Sequence, residues 1–174
     1  MMYEAREFLS THRALAVCSR EFGRLTEAIV HQAKAFAGDR LDGPPVIRQS
    51  PDRCIVQLGP VALTVAWLRN GSDTPADGSL MAIVWRGVIA PRGDHSPERK
   101  RARVATATPV SVWEQTLLPQ ADSEATWMWI PESSDQGAIA STGVATQCME
   151  QLKVALQAAT ADDTAEMTHQ GGRH

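Results

Sequence analysis

Phe8, Leu15, Phe22, Ile29 and Phe36 recur every seven residues, and the repeat stops at Gly38. Cys18 and Leu25 fill the intervening spacing of three or four, while Arg13, Arg20, Arg24, Glu27 and Lys34 fall mainly off that line. Such a period puts one apolar stripe on a long helix over roughly residues 4–37. Ser10 and Thr11 offer an alternative, capping a second helix and breaking the first turns away. Gly38 is a natural stop, and "GDRLDGPP" reads as a loop. A seven-residue repeat also suits a coiled coil, although Gly23 and Gln32 weaken that seam. The stripe is therefore expected to pack on the protein's own sheet, with a homodimer through Phe8, Leu15, Phe22 and Ile29 as the alternative.

From Val46 the period changes to two. "VIRQ", "RCIVQLG" and "VALTVAWLRN" read as strands, separated by Ser50-Pro51-Asp52 and Gly59-Pro60. Val61, Leu63, Val65 and Trp67 share one face of the third strand, and Ala62, Thr64 and Ala66 the other. After the loop "NGSDTPADGS", "LMAIVWRGVIA" carries Met81, Ile83, Trp85 and Ile89 on one face and Arg86 on the other. "VATATPVSVWEQTLL" and "TWMWIP" complete the series, joined by the turn "PQADSEA". Short polar connections between neighbouring strands predict an antiparallel meander and not parallel crossovers.

Helical periodicity returns near the end, where Val144, Cys148, Leu152, Ala155, Leu156 and Ala159 line one face with Met149 alongside. Ser133 and Gln136 have the form of a capping box, while Ser141 or Thr142 would give a later start. Beyond Ala159, "TADDTAEMTHQGGRH" is polar and has no apolar face. The predicted organisation is one α+β domain over 1–159 followed by a disordered polar tail, 160–174. Its fold is a long N-terminal helix, an antiparallel meander of five or six strands and a C-terminal helix, with both helices on one face of a curved sheet. That order is compatible with helix-grip and secretion-chaperone-like architectures, a likeness that transfers no function.

Several function classes lose support at this level. The chain has 174 residues and a formal net charge of -3, not the positive balance of a dedicated nucleic-acid binder. Cys18, Cys54 and Cys148 are odd in number and far apart, which suits small buried hydrophobes better than a disulfide framework or a metal pair. The opening "MMYEAREFLSTHR" lacks a signal-type apolar core, and no apolar run reaches membrane-spanning length. A soluble protein of the cytoplasm is expected. Phosphate-loop, dinucleotide, nucleophile-elbow and zinc-helix motifs are missing from the sequence. His12, His31, His95, His169 and His174 are scattered, and Asp162-Asp163 falls in the expected tail. No metal site or cofactor is expected, the sequence singles out no catalytic residue, and the balance is against an enzyme without settling the point.

Five tryptophans, Trp67, Trp85, Trp113, Trp127 and Trp129, all fall in predicted strands, although the chain has one Tyr and three Phe. Trp127 and Trp129 point the same way, and Met128 and Ile130 make the opposite face apolar too. A strand apolar on both faces is buried on both, lines a cavity or forms an interface. One reading packs the tryptophans under the helices. A functional reading makes Trp85, Arg86, Trp113, Trp127 and Trp129 a groove for an apolar ligand or a protein, with Arg86 available to an acidic group or to Glu114 across the strands. In the loop "GDHSPERKRARVA", Arg99, Lys100, Arg101 and Arg103 could meet phosphate or an acidic surface, but no aromatic is interleaved there for base stacking.

The leading expectation is a small non-catalytic binding or protein-interaction module, with a protein partner or a second copy as its ligand. The alternative is an apolar-ligand binding protein or enzyme with a cavity between sheet and helices, and a third reading is nucleic-acid contact through 99–103.

Overall fold

A computed structural model describes residues 2–38, 43–92, 108–133 and 135–170. The N-terminal stripe is divided between α1 (Met2–Leu9) and α2 (His12–Ala37). Thr11 makes the division. Its extended backbone leaves the helix, and its hydroxyl accepts from the Ala14 N–H at 3.2 Å while donating to the Phe8 carbonyl at 2.7 Å. The single helix over 4–37 is thus corrected to two, by the capping alternative visible in the sequence.

Six strands follow: β1 (Val46–Ser50), β2 (Arg53–Leu58), β3 (Val61–Leu68), β4 (Ser79–Arg86), β5 (Val110–Gln120) and β6 (Met128–Pro131). They pair in chain order β1-β2-β3-β4-β5-β6, every pair antiparallel. Gly59, at φ 55°, supplies the left-handed residue of the β2–β3 turn. β4 ends at Arg86, and the next residue, Gly87 at φ 128°, lies so close to Pro109 that a Cβ would stand 2.9 Å from its Cα. Ile89 therefore lies beyond the strand and does not continue its face. α3 (Ser141–Gln170) closes the chain.

Register decides which side chains meet the helices. Val56, Leu63, Val84 and Trp113 form one cross-strand row, and Cys54, Val65 and Ala82 belong to the next. On this face α2 packs against β2, and α3 against β3, β4 and α2. Leu25 and Ile29 of α2, Leu63, Val65, Leu80 and Leu117 of the sheet, and Cys148, Met149 and Leu152 of α3 are sealed from solvent. Both helices lie on one face of an open antiparallel sheet, so the fold is α+β.

Two differences arise at α3. The helix begins at Ser141 and not at the Ser133 capping box, because Ile139 is engaged elsewhere: its N–H and carbonyl pair with the backbone of Trp129 at 2.7 and 2.8 Å. The helix also runs to Gln170, where a disordered tail is expected from 160; residues 171–174 lie outside the described residues. Ala161, Ala165, Glu166 and Met167 favour helix intrinsically, and the hydroxyls of Thr160, Thr164 and Thr168 each donate to the carbonyl four residues back.

Candidate functional site

The five residues proposed for a groove occupy three separate places. Trp127 and Trp129 are buried on the helix-covered side, in edge-to-face contact with ring centroids 5.6 Å apart, and Trp129 meets Trp67 in the same way at 5.9 Å. The indole N–H of Trp129 donates to Ser141 Oγ at 2.9 Å, and that hydroxyl donates to Glu21 Oε2 at 2.8 Å. Arg24 closes the chain on Glu21 Oε1 at 3.0 Å. This buried relay fastens β6, the first residue of α3 and the middle of α2 together, with a carboxylate near a helix N-terminus where its charge is favoured. Trp113 lies half-buried against the same core.

Trp85 is on the opposite face, its indole N–H donating to Thr64 Oγ1 at 3.2 Å. Arg86 points back toward the helices and bonds Asp162 of α3 at 2.6 Å. The expected Arg86–Glu114 pair is therefore corrected: Glu114 stands opposite Ile83. The groove of five residues does not form, because strand alternation separates Trp85 from the rest. Nor is the helical stripe free for a partner. Phe22 and Ile29 are buried in the chain's own core, with Phe8 packed at its margin and Leu15 half-buried. Arg99, Lys100, Arg101 and Arg103 lie outside the described residues.

What alternation takes from the tryptophan groove it gives to the other sheet face. No helix among the described residues covers that face. Its middle row runs Arg48, Ile55, Thr64, Ile83 and Glu114 across β1 to β5. Beside it lie Ser50, Arg53, Ala66, Met81 and Thr116. Ile55, Met81, Ile83 and Trp85 are half-buried, and Leu118 and Ile130 extend the apolar surface onto β5 and β6. Leu118 is 40% exposed and Val112 50%, high values for large apolar side chains on a strand. Both faces of β4 read as apolar in the sequence, so alternation alone could not say which one the helices take. The larger residues of β3 on the Leu63 side were the available signal.

At one end of the face the chain leaving β4 is held by Gln57. Its amide nitrogen donates to the carbonyls of Gly59, Val61 and Gly87, and its oxygen accepts from the N–H groups of Ile89 and Ala90. Arg48 then donates to the Pro91 carbonyl, and Arg92 to that of Pro44.

Chemistry for catalysis is harder to assemble. Burial pushes the Cys18 and Cys148 thiols up to about 12 and Cys54 to about 11, which suppresses the nucleophilic thiolate. Among the described residues no three His, Cys, Asp or Glu side chains are grouped to hold a metal ion. A cavity of about 190 Å³ opens between α2 and the sheet end, lined by Leu15, Cys18, Phe22, Trp67 and Arg69 among others. None of the described helices is long and apolar enough to cross a membrane. Comparison with protein-family models, curated proteins and solved structures gives no match.

Proposed function

We propose that this chain is a non-catalytic protein-interaction module whose binding surface is the sheet face opposite its helices. The observation that carries the proposal is the set of large apolar side chains Ile55, Met81, Ile83, Trp85, Leu118 and Ile130 on the sheet face opposite the helices. Scattered apolar residues are ordinary on a surface, but six large apolar side chains on one sheet face, flanked by Arg48, Arg53 and Glu114, are typical of an interface. Strand addition at the edges suits this sheet less well. The outer edge of β6 is already paired with Ile139, and β1 is five residues long between Pro44-Pro45 and Pro51. The face is what remains.

Site-specific photocrosslinking in cells tests the reading. Benzoylphenylalanine in place of Ile83 is expected to give a protein–protein crosslink, whereas the same group in place of Glu150, on the exposed side of α3, gives none. A position 83 as silent as position 150 would falsify the proposal.

A further inference from the structure

We infer that the sheet face opposite the helices binds the same face of a second copy of this chain, about a twofold axis directed along β3. The inference rests on the interaction-face reading and names its partner.

The central row supplies the argument. From β1 to β5 it reads Arg48, Ile55, Thr64, Ile83, Glu114. A cation stands at one end, an anion at the other, isoleucine at the two intermediate positions and threonine at the centre. A twofold axis over Thr64 exchanges the two ends of this row. Each Arg48 then faces the Glu114 of the other copy, each Ile55 faces an Ile83, and Thr64 faces its own equivalent.

The neighbouring row follows the same symmetry. Ser50 is brought opposite Thr116, Ala66 opposite Ala66, and the Arg53 side chain over Met81, where its methylene stem can cover apolar surface. An isologous interface requires this self-complementarity about one axis. With the axis along the strands, the two sheets also stack in the aligned manner usual for face-to-face sheets, about 10 Å apart.

The charges and the apolar residues do different work. Ile55, Ile83, Met81 and Trp85 would supply the buried area, while the two Arg48–Glu114 pairs set the axis and disfavour shifted registers. The segment 87–92 passes the Gln57 end of the face and touches the central row at its β1 end, where the Pro91 carbonyl accepts from Arg48.

Sedimentation equilibrium on the full chain tests the inference. The wild type is expected to dimerise. Arg48→Glu and Glu114→Arg should each weaken the dimer by about tenfold or more, because each places like charges opposite one another twice. The double variant should restore pairing. Glu114 makes no side-chain hydrogen bond among the described residues, so its reversal reports on pairing even if Arg48→Glu loosens the contact to Pro91. A monomeric wild type overturns the inference, and so does a dimer indifferent to both reversals. If position 83 crosslinks to a different protein while the chain stays monomeric, self-pairing falls and the interaction face stands. If position 83 gives no crosslink at all, both fall.

Discussion

Gln57 is a polar residue on an apolar strand, and its amide ties the β2–β3 turn to the chain leaving β4. Two N–H groups serve the carbonyls of Gly59, Val61 and Gly87 at 2.8 to 3.0 Å, and the amide oxygen takes the Ile89 and Ala90 N–H groups at 2.9 and 3.2 Å. The side chain is 6% exposed, so water can replace little of this. Gln57→Leu keeps the bulk and strands several backbone groups, an expected loss of about 2–4 kcal/mol. Gln57→Glu should be worse at neutral pH, since a carboxylate would face three carbonyls. Urea unfolding of the two variants measures both, and a loss under about 1 kcal/mol for Gln57→Leu would count against the clamp. Glu21 and Ser141 show the same logic on the other face. Neither role was legible beforehand, because the partners of Gln57 lie up to 33 residues away and those of Glu21 up to 120. Local pattern says where a polar residue sits, not what it will meet.

Elements fared differently according to whether their signals are local. Thr11 caps α2 through a contact three residues away, so the break at Ser10-Thr11 could be read from "LSTHR". The meander followed from period-two runs and short turns. The start of α3 misled, because Ser133 and Gln136 fit a capping box while the Ile139–Trp129 pairing that delays the helix is a tertiary contact. Its far end misled for another reason: residues past Ala159 have no apolar face, so periodicity cannot report a helix that rests on intrinsic propensity. Among the described residues one ion pair, Arg86 with Asp162, joins this extension to the sheet, and both partners are about half exposed. Half-exposed pairs contribute about 0–1 kcal/mol. Truncation after Ala159 is therefore expected to cost no more than about 1 kcal/mol in urea unfolding, with helical ellipticity falling as the extension is lost. A loss of several kcal/mol would mean that the extension packs on something else.

At the scale of the whole molecule, the two-layer arrangement buries all three thiols between helices and sheet. Cys18 lies on α2, Cys54 on β2 and Cys148 on α3, so together they sample both layers, and each is about 1% exposed or less. Burial raises them from an ordinary 9.0 to about 12, 11 and 12 respectively. The consequence for stability has a definite sign. Below pH 9 both states hold the thiol protons, and the buried neutral thiols impose no penalty. Above it the unfolded chain releases protons that the folded chain keeps, so the unfolded state binds fewer and stability falls as pH rises. For each thiol the decline continues until the folded group itself titrates, near 11 for Cys54 and near 12 for the other two. Its slope is about 1.4 kcal/mol per pH unit for each thiol. Urea midpoints measured at about pH 8 and pH 10 should therefore drop, and Cys148→Ala should make the drop shallower although it lowers the midpoint at both values. The change in slope separates titration from packing, since a cavity alone would shift both midpoints equally. An alkaline slope unchanged in Cys148→Ala would mean that this thiol ionises in the folded state as readily as in the unfolded one, and the closed core between α2, α3 and the sheet would then be wrong at its centre.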